Sequence, residues 1–531
     1  MLRGLLPEKQ DLNTPVWMSK ADDVRYATRM RFLNEFIGET TASSGVSSDL
    51  IEQTQYKMPW FASGMIGASH SSINYAAVGV YALRDYITDW ENLITYSLDN
   101  NGILTSCSVN REYALANYSS IFDGNGVLDV CYASGVLKDT ANLITAKSLM
   151  VAGMEYVMNN YAAAEYYMLG QQDREERCTC SVCSEQTTVS GGGFLGIDVK
   201  KYTDYKYTKS YYTANFVKAV AEQLASDGYT TQKVVMFAYG PTGDAPGQMT
   251  YNSSNKYYNY STKITVALPS NVWVQWAPIN GDKYFAVNTD SFGIAAQLSD
   301  WRTYCLGGEN RFMVWTYEVN CSHYFVYAPT MHTWAENIKV FKEYGMDYVF
   351  MQSMFTDRVN PDQYMEAYVA SKLLWNASTD TAAMNALITK YKNEFISYFY
   401  GSTAASYVQD YYTTFDAEYA SLYGSIGYLQ SNDSGKVWVL GQTPHNDMGA
   451  IPTQDFLSGL ITKLDNAIAA VNADTTLNEA QKEQYVEHIN RLKLTPRYML
   501  VLYYGVEDST LYADMKALGG TQLGENVSIP A

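Results

Sequence analysis

Between residues 126 and 352, short apolar runs take turns with segments of helical periodicity. This alternation constrains the fold more than any other feature of the sequence. The runs are centred near Val130, Tyr167, Val235, Val274, Val314 and Val349. Between them, residues 142–161 repeat Leu143, Ala146, Leu149, Met150, Met154, Val157 and Met158 at three- and four-residue spacing, and residues 214–226, 291–305 and 331–344 follow the same rule. A short apolar run bounded by turn residues reads as an interior strand, and the three-to-four spacing as a helix with one buried face. Strands alternating with helices imply βαβ units and a parallel sheet. Two further runs, near Arg25 and Met65, raise the count to eight, which favours a closed (β/α)8 TIM-type barrel over an open sheet.

The alternation ends at Pro361. Beyond it the spacing predicts helices over 361–376, 380–400 and 403–424, a break rich in Gly, Ser and Asn, a short strand at 436–440, and helices over 453–472, 478–493 and from Pro496 to about Tyr504. The expected organisation is a lead-in over 1–20, the barrel over 21–360, a helical extension packed on it over 361–430, and a C-terminal helical domain over 431–531. A chain of 531 residues exceeds one ordinary core, so several domains are expected.

The formal charge of -18 argues against nucleic acid, because no basic surface would offset phosphate repulsion. No stretch reaches the roughly 18 apolar residues of a membrane-spanning helix. Residues 1–10 show no apolar core and no cleavage site, so no signal peptide is expected there. The 47 tyrosines, with 10 tryptophans and 18 phenylalanines, supply flat apolar faces with polar tips. Sugars have matching apolar C–H faces and hydroxyl rims, so the composition suits a carbohydrate partner; the competing reading is that Tyr replaces Phe and Leu in cores and on the surface.

Candidate chemistry gathers where strands end, because a barrel carries its site at the carboxyl ends of its strands. Asp173 follows the Tyr166–Leu169 run and Glu318 ends the Arg311–Glu318 run. Two carboxyl groups from different strands are what glycoside hydrolysis requires, one as proton donor and one as nucleophile or base. Glu318, among Trp315, Tyr317 and apolar neighbours, suits the donor. Asp173, near Arg174 and Arg177, suits the ionised partner; the competing reading has it cap its loop or pair with those arginines. Gln172 and His70 are candidate sugar-hydroxyl ligands, and Tyr239, Trp276, Trp315 and Tyr317 a candidate stacking platform. By strand alternation Trp315 and Tyr317 share a face that Glu318 does not. Catalysis of this kind needs no cofactor. Cys178, Cys180 and Cys183, with Cys131 as fourth member, have the spacing of a structural zinc site, or of a disulfide in an exported protein. Either would pin the loop that carries Asp173.

Several landmarks together resemble a known family. They are Gly67-Ala-Ser-His70, Asp129-Val-Cys-Tyr132, Gln171-Gln-Asp173 before the three cysteines, Phe237-Ala-Tyr239, Val314-Trp-Thr-Tyr-Glu318 and Lys372-Leu-Leu-Trp375-Asn. In that order they resemble the bacterial family named domain of unknown function 4838, over roughly residues 15–425. The resemblance implies a glycoside-hydrolase-like barrel related to alpha-glucuronidase-type enzymes, acting in polysaccharide degradation. Members of that family usually carry a small α/β domain before the barrel, and often a signal peptide, so the resemblance implies either a truncated or a naturally short version, exported or at the cell surface in the truncated case. The expected function is therefore hydrolysis of a polysaccharide or oligosaccharide; the alternative is a non-catalytic carbohydrate-binding protein on the same barrel.

Overall fold

The structure is a computed structural model, and it describes residues 70–134, 144–161, 164–174, 178, 180, 183, 207–252, 257–279, 281, 283–289, 294–320, 322–346, 349–352, 360–426, 451–524 and 527–530. The expected strands near Arg25 and Met65, and the one at 436–440, lie outside these residues. The chain forms two compact units, one from Asp49–Pro278 and Ala296–Met313, the other containing Ile279–Ala295 and Val314–Ala531.

Among its described residues, the first unit begins with helix α1 (Ser72–Ala82) and a short helix α2 (Trp90–Leu93). An antiparallel hairpin follows, β1 (Ile94–Leu98) and β2 (Leu104–Val109), then α3 (Arg111–Asn117). The run near Val130 is not a parallel strand. It forms β4 (Asp129–Val130), two residues paired antiparallel with β3 (Phe122–Asp123). Helix α4 (Ala146–Asn160) starts four residues after the expected Asn142, because Thr145 and Ser148 exchange hydrogen bonds across its first turn: the Thr145 hydroxyl accepts from the Ser148 amide at 3.1 Å and the Ser148 hydroxyl from the Thr145 amide at 2.8 Å. Helices α1 and α4 meet backbone to backbone. A Cβ on Gly79 would lie 1.9 Å from the Leu149 carbonyl oxygen, and one on Gly153 2.0 Å from that of Tyr75.

Strand β5 (Tyr166–Leu169) is buried at every position, as a strand covered on both faces must be. Helix α5 (Lys209–Ser226), capped by Thr208, leads to β6 (Lys233–Tyr239). A second hairpin, β7 (Gly247–Asn252) and β8 (Tyr257–Lys263), precedes β9 (Val272–Ala277). Strands β5, β6 and β9 lie side by side in that order, all parallel, with Leu169 opposite Met236 and Tyr239 opposite Ala277. Helix α5 packs on β6 and β9 and against α4, and α6 (Ile294–Tyr304) carries the chain onward.

Strand β10 (Phe312–Tyr317) runs into the second unit, where it pairs in parallel with β11 (Val349–Gln352) after the crossover helix α7 (Trp334–Glu343). The fold is thus mixed α/β with βαβ connections. The described residues that follow are mainly helical: α8 (Pro361–Trp375), α9 (Thr381–Phe399), α10 (Ser402–Ile426), α11 (Gln454–Ala473), α12 (Glu479–Tyr504) and α13 (Leu511–Ala517), then a small hairpin of β12 (Gln522–Gly524) and β13 (Val527–Ser528). Pro361 occupies the first turn of α8, where a missing amide costs nothing. The expected break before Pro496 does not occur; α12 runs through it. Among the described residues no helix is long and apolar enough to cross a membrane.

Candidate functional site

In the first unit, the chain leaving β5 is gripped by the start of α1. The amides of Ser71 and Ser72 both donate to the Gly170 carbonyl, at 3.1 and 2.9 Å, and the Ser71 hydroxyl donates to the Met168 carbonyl at 2.5 Å. The His70 ring Nδ1 lies 2.6 Å from the Gln171 carbonyl oxygen, so the ring is fixed against the strand end. The two amide side chains split their work. Gln171 is buried and donates to the Thr242 hydroxyl at 2.7 Å and the Tyr239 carbonyl at 3.3 Å, tying the end of β5 to the end of β6. Gln172 is half-buried and donates to the His70 carbonyl at 3.1 Å.

Asp173 stands exposed beyond them, and the Tyr239 hydroxyl donates to its Oδ1 at 3.0 Å. The Tyr239 ring is stacked on Phe237, with centroids 4.9 Å apart, and His70 meets both rings edge-on at 5.5 Å. The structure therefore brings His70, Gln172, Asp173 and Tyr239 together at the carboxyl ends of two adjacent parallel strands.

Arg174 takes no part in this group. Its buried guanidinium pairs with Asp123 at 2.8 Å and lies 3.7 Å from Asp129, and it donates to the carbonyls of Asn125 and Val127. Asp129 is buried and also accepts from the hydroxyls of Ser72, at 2.7 Å, and Tyr132, at 3.0 Å, and from the backbone N–H of Gln172, at 3.2 Å. Nothing in the position of Asp129, one residue into a two-residue strand, marked it beforehand as the acceptor that holds this loop. Glu175, Glu176 and Arg177 lie outside the described residues.

The same loop carries the thiols. Cys131 follows β4, and Cys178, Cys180 and Cys183 follow Arg174; the four sulfur atoms lie within 4.8 Å of one another. Cys131 Sγ is 3.7 Å from that of Cys180 and 3.9 Å from that of Cys183. A disulfide would need about 2.05 Å. Four sulfurs around a tetrahedral zinc at about 2.3 Å would sit roughly 3.8 Å apart, close to the distances of Cys131 Sγ from Cys180 and Cys183. Hydrogen bonds from Cys131, Cys178 and Cys183 lower the Cys180 thiol below the usual thiol range. Thiolate is the form that ligates a metal.

Glu318, in the second unit, is buried, and both its oxygens are engaged. Oε1 accepts from the Thr316 hydroxyl at 2.7 Å; Oε2 accepts from the Thr330 hydroxyl at 2.5 Å and the Trp334 indole N–H at 2.8 Å. Burial pushes its carboxyl up, against those three hydrogen bonds. Tyr317 is also buried, under the Lys283 ammonium at 5.2 Å, and Trp315 is half-buried beside it. Trp276, expected on a stacking platform, is instead fully buried in the first unit and donates its indole N–H to Gln297 at 2.9 Å.

Fold and site together define a mixed α/β protein with a helical C-terminal region, a polar and aromatic group at parallel strand ends, and a four-cysteine cluster able to hold a metal ion. The family described as domain of unknown function (DUF4838) matches residues 140–413, slightly more than half of the chain, and the chain belongs to it. No curated protein and no solved structure matches the chain.

Proposed function

We propose that this chain is a glycoside-hydrolase-like protein of (β/α)8 type that acts on oligosaccharide at the carboxyl ends of β5 and β6, with Asp173 as the working carboxylate. One observation carries the reading: an exposed carboxylate held by a tyrosine hydroxyl, flanked by a fixed imidazole and a side-chain amide, at the strand ends where such folds put their chemistry. The ring of Tyr239 offers a sugar an apolar face, and Gln172 and His70 offer polar groups to its rim. The four cysteines would hold a structural zinc ion, closing the loop behind Asp173 and fixing Arg174 on Asp123 and Asp129.

A second reading, carbohydrate binding without hydrolysis, draws support from Glu318, whose oxygens are filled by three protein donors. A panel of aryl glycosides and oligosaccharides decides between the two. Turnover by the native protein that falls at least about a hundredfold in Asp173→Asn supports hydrolysis at this site, the usual scale for a positioned acid–base group. Saturable oligosaccharide binding with no turnover supports the second reading. Turnover untouched by Asp173→Asn overturns the assignment of Asp173.

A further inference from the structure

We propose that the second unit holds a ligand site of its own, a cavity for a small organic amine, with Glu366 and Asp362 of α8 as the counterions of its ammonium group. This site goes beyond the carbohydrate reading and shares no residue with it. The cavity has a volume of about 580 Å³, within the range of small-molecule sites. Its acidic wall comes from Asp362, Glu366 and Asp416, its apolar wall from Met365, Ile388 and Ile396.

The carboxylates are not equivalent. Asp416 is matched: Oδ1 accepts from the Tyr327 hydroxyl at 2.5 Å, and Oδ2 receives the Lys392 ammonium at 2.8 Å. That pairing uses the lysine of the cavity wall. Asp362 is half matched, with Oδ1 accepting from the Tyr412 hydroxyl at 2.5 Å while buried Oδ2 has no partner among the described residues. Glu366 is only 6% exposed, lines the cavity, and accepts no hydrogen bond from any described residue.

A buried carboxyl group left unmatched is costly, and proteins seldom keep one without a use. Burial pushes both carboxyls up, Asp362 to about 6 and Glu366 well above its ordinary value. The negative charges of Glu318 and Asp362 push Glu366 further, and Lys392 opposes them only in part. An arriving cation reverses this balance by favouring the charged form of both groups.

The cation is organic rather than metallic on two grounds. Among the described residues, only the four cysteines gather at a spacing that suits a metal ion. The methionine and isoleucine wall would face the hydrocarbon body of an amine, whereas a metal would want oxygen ligands on that side. The neutral rim of Asn385, Thr389, Asn393 and Thr413 leaves the acids as the source of selectivity.

Benzylamine and its uncharged counterpart benzyl alcohol separate charge recognition from cavity filling. By isothermal titration of the full chain, benzylamine is expected to bind at least about tenfold more tightly than the alcohol. Glu366→Gln keeps the shape of the side chain and removes its charge; it is expected to weaken benzylamine at least about tenfold and leave the alcohol unchanged, with a thermal melt confirming that the variant is folded. Asp173→Asn, in the other unit, is expected to bind benzylamine like the native chain, so failure of the carbohydrate reading leaves this result standing. Equal affinity for amine and alcohol, native-like amine binding by Glu366→Gln, or no binding of benzylamine or the longer tryptamine at about 10 mM would each overturn the proposal.

Discussion

At the scale of single residues, the two carboxylates singled out by their strand-end positions turn out to live in different surroundings. Asp173 is exposed with one hydroxyl on it, and Glu318 is buried with three donors. Their amide variants should therefore separate stability from activity. Asp173→Asn loses no buried partner, so its melting temperature should stay within about a degree of the native value while any hydrolysis collapses. Glu318→Gln presents an NH2 group to at least one of the donors that now point at a carboxylate. It should cost about 1–3 kcal/mol, the penalty of a mismatched buried donor, seen as a lower denaturation midpoint whatever happens to activity. The sequence showed where both chains of atoms leave their strands, but not who meets them. Thr330 and Trp334 reach Glu318 from twelve and sixteen residues onward, and Tyr239 reaches Asp173 across 66 residues. Such partners are chosen by the register of β5 against β6 and by the course of loops, and neither is written in local periodicity.

Among the elements, those with continuous apolar runs or three-to-four spacing were legible, because burial of a face dictates residue type at every position. Strands β5, β6, β9, β10 and β11 and helices α4 and α8–α11 stand within a few residues of expectation. The hairpin β1–β2 escaped, since four of the five residues of β1 are exposed and no apolar pattern is imposed on them. Helix α12 was read as two because Pro496 removes an amide and crowds the preceding turn. The burial of Leu492, Leu494, Thr495, Tyr498 and Met499 around it outweighs that local cost. The α1–α4 contact rests on Gly79 and Gly153. Gly153→Ala should lower stability by about 1–3 kcal/mol or more, because the methyl group meets the Tyr75 carbonyl rather than a side chain that can turn away. Gly459→Ala in α11, where a methyl group meets open space, should stabilise by up to about 1 kcal/mol through helix propensity. Comparing the two in urea tests whether backbone contact holds α1 to α4. For the cysteine loop, metal analysis should return one zinc per chain, and strong chelation should lower the melting temperature by several degrees. Loss of Cys131 should do as much as loss of Cys180, since both belong to the same four-cysteine cluster.

For the whole molecule, charge sets the response to pH. The chain carries -18 at neutrality, yet three of its carboxyl groups, Glu318, Asp362 and Glu366, are buried with values raised by that burial. A carboxyl raised in the folded state holds a proton that the unfolded chain has already released. Stability then falls as pH climbs from the unfolded value near 4 through the folded value, about 6 for Asp362 and well above the ordinary carboxyl value for Glu366. Other carboxyls work in the opposite sense at lower pH. The hydroxyls of Thr403 and Thr476 hold Asp474 down at about 2, and Arg497 holds Asp508 below its usual range. Their contribution is present above the unfolded value and is lost as pH falls below about 4. The two trends cross in mildly acidic solution, where the net charge is also small because the isoelectric point is about 4.7. Melting temperature should therefore peak between about pH 4 and 5 and decline toward pH 8. Glu366→Gln removes a group that repels Glu318 and Asp362 without touching the surface charge that drives general repulsion. It should raise the melting temperature by about 2–4 °C at pH 8, and the gain should shrink to nothing near pH 4, where the native glutamate is protonated in both states. A gain that stays constant across that range would mean that Glu366 is not the buried, proton-holding group the cavity makes it.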